Sequence, residues 1–231
     1  MKISKLLLFA APFLLSISVS HAAVILTEGF NDITTLAGAG WVQTNNSTAG
    51  GTTAWFQGTT GVFAAQSGAA DSYIAANFLN AGFGGDISNW LILPNMTLAN
   101  GDTLTFWTRT ETDAVPGDNL QVRLSSNGGS TNVGATTSSV GDFGTVLTTV
   151  GGAGGYPESW TQFVATVSGL AGPTSVRLAF RYVVSDTSNN GDYIGIDSVS
   201  VNQAVPEPGT LLMLGAGMAL LAVKRVRSAR A

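Results

Sequence analysis

The chain has 231 residues, of which 45% are hydrophobic and only 10% charged, with a formal net charge of −4. It contains no cysteine, so a disulfide framework, a thiol nucleophile and a thiolate metal site are all excluded. It has one histidine, His21, so any His-assisted nucleophile or histidine-ligated zinc would have to be built on that residue.

In chain order, Met1-Lys2-Ile3-Ser4-Lys5 is followed by an apolar run from Leu6 to Val19 and then by Ser20-His21-Ala22-Ala23. A charged start, a greasy middle and a small-residue exit are the layout of an export signal. A retained span would need about 20 apolar residues, and this run is shorter. Residues 1–23 are therefore expected to be a signal peptide for the Sec machinery, cleaved after Ala22 or Ala23. His21 leaves with it, and the rest of the chain then has only carboxylate acid/base work and oxygen-based binding of hard cations open to it.

Residues 24–203 suffice for one domain. Their only basic residues are Arg109, Arg123, Arg177 and Arg181, set against thirteen acidic ones, a net charge near −9. That balance argues against binding nucleic acid or an anionic membrane by charge. Period-two alternation marks strands. The first candidate is Val24 to Phe30, followed by Tyr73 to Phe78 and Trp90 to Leu93. Thr103 to Arg109 and Leu120 to Ser125 are clearer, and Thr145 to Val150 is weaker. Trp160 to Ser168 and Ser175 to Val183 are clear again, and Tyr193 to Val201 ends the series. In Ser175 to Val183, Val176, Leu178, Phe180 and Tyr182 share one face, and Arg177, Ala179 and Arg181 share the other. No segment shows a capped helical period, and turn clusters such as Asn100-Gly101-Asp102 abound. The expected fold is all-β, a single jelly-roll-like antiparallel β-sandwich. The Gly/Ser/Thr-rich stretch from 128 to 155 reads as a long, partly mobile crossing.

Two carboxylates sit oddly on their strands. Glu28 shares a face with Val24, Leu26 and Phe30, and a buried carboxylate needs a partner or a metal. In Tyr193 to Val201 the apolar phase changes between Ile196 and Val199, which implies a β-bulge near Asp197-Ser198. First and last strands are often neighbours in a jelly roll, so Glu28 and Asp197 could share a structural Ca²⁺. The alternatives are an inward charge that protects an edge strand, or a carboxylate bonded to backbone N–H. Asp186-x-Ser188-x-Asn190-Gly191, with Asp197 further on, has an EF-hand-like skeleton but no flanking helices, and reads better as a polar hairpin loop. Trp41 and Trp55 lie in Gly/Thr-rich loops and are candidates for stacking on a ligand such as a sugar. Trp90, Trp107 and Trp160 suit core or rim packing. No spacing singles out an acid/base pair among Asp113, Asp118, Asp142, Asp186 and Asp192, so no enzyme is expected.

The C-terminus reads Val205-Pro206-Glu207-Pro208-Gly209, then 14 apolar or small residues from Thr210 to Val223, then a basic tail from Lys224 to Arg230. As a helix the apolar stretch is about 21 Å long, a marginal span for a bilayer core of about 30 Å. The basic tail belongs on the cytoplasmic side. This order resembles the PEP-CTERM sorting signal of Gram-negative bacteria, placed at 204–231. The resemblance implies processing by the membrane enzyme exosortase near Pro206, Glu207 and Pro208. It also implies a precursor held briefly in the inner membrane by the C-terminal helix, and a product on the cell surface or secreted.

Glu28-Gly29-Phe30, Asn89-Trp90-Leu91-Ile92-Leu93-Pro94, Gly141-Asp142-Phe143, Phe180-Arg181-Tyr182 and Gly195-Ile196-Asp197-Ser198-Val199 together resemble the choice-of-anchor J domain, akin to cleaved-adhesin and MAM domains. That resemblance implies a non-catalytic surface module for adhesion or for contact with polysaccharide.

Overall fold

The computed structural model describes residues 22–205. Residues 1–21 of the expected signal peptide, and Pro206, Glu207 and Pro208 with the apolar stretch and tail behind them, lie outside the described residues. Among the described residues no helix is long and apolar enough to cross a membrane.

The first six strands are β1 (Val24–Glu28), β2 (Val42–Asn45), β3 (Phe56–Gln57), β4 (Ile74–Ala76), β5 (Ile87–Ile92) and β6 (Met96–Leu98). The others are β7 (Thr103–Thr110), β8 (Asn119–Ser125), β9 (Thr145–Gly151), β10 (Thr161–Thr166), β11 (Thr174–Val184) and β12 (Ile194–Asn202). They form two antiparallel sheets. One runs β10-β7-β12-β4-β3 with β1 also on β12, and the other runs β2-β5-β11-β8-β9 with β6 also on β11.

Alternation decides which residues meet between the sheets. β7 alternates half-buried and buried along its whole length, with Leu104 and Phe106 in the core. β11 contributes Val176, Leu178, Phe180, Tyr182 and Val184, and β8 contributes Leu120, Val122 and Leu124. Phe106 of one sheet meets Phe180 of the other edge-on, with centroids 4.9 Å apart.

β12 carries the bulge that its sequence phase implies. Its register on β7 slips between Asp197 and Ser200, and Ser198 has φ +50. The slip places Ile194 and Ile196 in the core before it and Val199 and Val201 in the core after it. It also divides the far edge of β12, which pairs with β4 before the bulge and with β1 after it. The first and last strands are therefore neighbours.

Each sheet also has a buried outer side. Phe63, Tyr73, Ala75 and Tyr193 form a cluster under the segment that follows β3. Trp90, Ile92 and Ala179 on the second sheet are covered by Val133 and Phe143 from the segment between β8 and β9. That segment, expected to be a partly mobile crossing, is folded onto the sheet. Three arginines on the outer face of the sheet donate to its carbonyls: Arg123 to Phe143, Arg177 to Gly129 and Arg181 to Thr137. Asp142 ties the segment to itself by accepting from Asn127 and Ser130.

Candidate functional site

Glu28 and Asp197 lie on the paired strands β1 and β12, but they serve separate segments. A Glu28 Oε1 oxygen accepts the Phe30 N–H at 2.7 Å, which fixes a tight bend in which buried Phe30 takes φ +50. Asp197 is fully buried on the outer side of its sheet, where Oδ2 accepts Ser67 N–H at 3.0 Å and Oδ1 accepts Ser198 N–H at 2.5 Å. Burial raises the Asp197 carboxyl above its ordinary range, against the lowering effect of these N–H donors. Among the described residues no group of three or more acidic or histidine side chains is placed to hold a metal ion.

Trp41 and Trp55 are core residues, 3% and 4% exposed, so neither ring offers a face to a ligand. Trp41 packs edge-on against Phe30 at 5.7 Å. Their Gly/Thr-rich surroundings are the short segments that close the sandwich, and burial of the indoles is what holds those segments down. Asp186 caps its own hairpin, accepting from the Ser188 hydroxyl, Ser188 N–H and Asn189 Nδ2, and these bonds hold its carboxyl low.

The surface with the features of a binding site is the end of the sandwich where segments 77–86, 111–118 and 185–193 meet. Thr187 N–H donates to Gly85 O, and Thr187 Oγ1 donates to Gly82 O. Gly191 has φ +102, and a Cβ there would lie 2.9 Å from that of Phe78. Only glycine lets these two segments approach so closely. Beneath them, Asp118 is 1% exposed, with Oδ2 accepting the Tyr182 hydroxyl at 2.6 Å and Oδ1 accepting Gly191 N–H at 2.9 Å. The same Tyr182 hydroxyl also lies 2.9 Å from Asp192 O. Burial pushes the Asp118 carboxyl up to about 6, while its hydrogen bonds pull the other way. Burial raises Asp192 as well. Asp118 thus has no open face; it ties segment 111–118 to segment 185–193 and to β11.

Two recesses open at this end. An apolar one of about 150 Å³ is lined by Phe78, Leu79, Ala81 and Phe83. Phe83, 93% exposed between Gly82 and Gly84, is the large apolar side chain most open to solvent among the described residues. A second one of about 330 Å³ is lined by polar Asp86, Asn119, Ser138, Arg181 and Ser185 and by apolar Ile87, Val183 and Val184, among others. Arg181 is 5% exposed, held by Nε to Ser88 Oγ at 3.0 Å and stacked 5.0 Å over the Trp90 ring. Burial, reinforced by the nearby Arg123 charge, lowers its guanidinium to about 10. Sequence reasoning placed Arg181 on the outward face of its strand but gave no sign of the recess. Phe83 could have been noticed as an aromatic isolated among glycines in a turn-rich stretch.

Residues 204–227 match the PEP-CTERM protein-sorting motif, beginning where the last strand has ended. The sandwich is similar to the K1 cleaved adhesin domain of Lys-gingipain from Porphyromonas gingivalis, with a TM-score of 0.54 at 23% identity over 78% of this chain and 98% of that one. It is also similar to the K3 cleaved adhesin domain of the same protein, with a TM-score of 0.53 at 20% identity over 79% of this chain and 100% of that one. At such identities the likeness concerns the fold alone. No curated protein matches the chain. The chain therefore joins a β-sandwich with the fold of cleaved adhesin domains to a C-terminal PEP-CTERM sorting motif, the mark of an exported, surface-sorted protein of Gram-negative bacteria.

Proposed function

We propose that this chain is a non-catalytic adhesive or structural module of the bacterial surface or extracellular matrix, sorted through exosortase processing near Pro206-Glu207-Pro208. The observation that carries the reading is the sorting-motif match at 204–227, directly behind a sandwich that ends at Asn202. The sandwich supports it further, because Asp118, the acidic residue with the most acid-like environment, is sealed from any substrate. The test is fractionation of a Gram-negative host expressing the full chain with and without its sorting enzyme. A processed product outside the cell with the enzyme, and a longer membrane-held form without it, is the expected result. Processing that is indifferent to the enzyme, or to replacing Pro206, Glu207 and Pro208 by alanine, would overturn it.

A second reading, a carbohydrate-binding module with a defined sugar, is favoured by Phe83, which offers a ring face to solvent beside hydrogen-bonding side chains at the loop end. Saturable binding of one polysaccharide in a screen would select it. Weak contact with many polymers would select the general adhesive.

A further inference from the structure

Arg181 is a buried cation whose charge is not matched by a carboxylate. Its Nε is taken by Ser88 Oγ and its Nη2 by Thr137 O, but Nη1 donates to no protein atom among the described residues. A buried polar group without a partner is costly, and a buried charge more so. Nη1 is not among the fully buried unpartnered side-chain atoms, and Arg181 lines the 330 Å³ recess. The recess lies at the lower end of ligand-pocket sizes, which run from about 300 Å³, and has room for one sugar ring. The guanidinium is held on two sides: its carbon lies 5.0 Å from the Trp90 ring centroid, and the carbonyl that it bonds belongs to the segment that carries Ser138 on the rim.

The rim limits the ligand further. Asp86, Ser138 and Ser185 are exposed there, with Asn119 half-buried beside them. Asp86 accepts one backbone N–H, from Asp186, and its other oxygen is open to hydroxyl donors. A guanidinium without an ion-pair partner and a separate rim carboxylate suit a ligand with a single negative charge next to hydroxyl groups. A phosphate dianion would meet Asp86 with Arg181 as the one cation among the residues lining the recess. An acidic peptide would bring carboxylates but no hydroxyls for Asp86, Asn119 and the serines.

We propose that the Arg181 recess is a binding site for a uronic-acid residue of an acidic polysaccharide, whose carboxylate takes Arg181 Nη1 while its ring hydroxyls meet Asp86, Asn119, Ser138 and Ser185. The assignment rests on the surface-module reading only for where such a polymer is met. The domain's net negative charge opposes a polyanion at long range, but beyond about 8 Å that repulsion is screened at physiological salt. The contact itself is short-ranged, so affinity is expected to rise from low salt to moderate salt before it falls.

The test is titration of the full chain with a galacturonate oligomer, its methyl ester and poly-glutamate. Esterification removes the charge and leaves the ring in place. The acid form is expected to bind at least about tenfold more tightly than the ester, the loss anticipated for one charge-assisted hydrogen bond. Poly-glutamate is expected to bind at least as weakly as the ester. Ser138→Trp, at an exposed position to which Arg181 makes no hydrogen bond, is expected to abolish binding by filling the mouth of the recess. Arg181→Lys keeps the charge, loses the planar fork and is expected to weaken binding about tenfold or more. Equal affinity for acid and ester, equal affinity for poly-glutamate, or unchanged binding in Ser138→Trp would each overturn the site. Those outcomes leave the sorting reading intact, since that reading fails only in the fractionation experiment.

Discussion

Asp118→Asn gives a direct measure of how the loop end is locked. The folded carboxyl has its pKa raised from the ordinary 3.8 to about 6, chiefly by burial. A carboxyl raised in this way stabilises the fold fully below its unfolded pKa, and the contribution is lost as pH climbs through the folded value. For a rise from 3.8 to about 6 the loss is about 3 kcal/mol. Little solvent screening is available to reduce it, since the residue is 1% exposed. Asparagine cannot titrate, so this slope disappears. The variant also loses one acceptor, because a carboxamide has a single oxygen for the Tyr182 hydroxyl and Gly191 N–H, at a pH-independent cost of about 1–3 kcal/mol. Carboxyls held low, such as Asp142 and Asp186, tilt both proteins equally and cancel in the difference. Urea unfolding followed by tryptophan fluorescence from about pH 4 to about pH 7.5 should show the variant less stable in acid. The gap should close or reverse near neutrality, as wild type loses its contribution across the window between the two pKa values. Parallel stability curves, or a gap that widens as pH rises, would refute the account.

Phe143→Ala should cost about 3–5 kcal/mol in chemical denaturation, because this ring is fully buried against Trp90 although it belongs to a connecting segment. Phe83→Ser should leave stability within about 0.5 kcal/mol, since the ring is 93% exposed, and should weaken any sugar contact made by the loop end. A melting temperature unchanged between excess Ca²⁺ and a chelator is expected, because the Asp197 oxygens are occupied by backbone N–H donors and Glu28 caps Phe30; an upward shift with Ca²⁺ would show a bound ion.

Much of the sandwich could be read from the sequence because clean alternation survives wherever a strand has one covered face. β7, β8, β10 and β11 fall within one or two residues of their expected limits, and the bulge at Asp197-Ser198 shows as a change of phase. β2, β3 and β6 have four, two and three residues, too few to show a period, and exist by pairing with longer neighbours. The site was less legible for a related reason. Trp41 and Trp55 stand among small polar residues, which suggests surface loops, yet those residues cross the open edges of the sandwich and turn their one large ring inward. Asp197 stands out in the sequence as a carboxylate beside the change of strand phase, and the structure places the bulge there. Its partner Ser67 could not be paired with it because the segment holding Ser67 is far away in sequence and has no pattern.

The arginines link the architecture to the surface. Arg109 donates to the carbonyls of Thr110 and Glu158 and lies over the Phe63 ring, so all four arginines of the sandwich bind backbone oxygens. Thirteen carboxylates then remain against four cations committed to structure. Copies displayed side by side carry the same sign and repel within a Debye length, about 8 Å at physiological salt. Such a surface resists clumping and gains nothing from long-range attraction to the negatively charged outside of a bacterium. On the adhesive reading proposed above, contact would then depend on short-range interactions at a place where charge is absent or locally reversed. The loop end supplies both: Phe83 is apolar and open, and Arg181 presents an N–H to solvent with no protein acceptor.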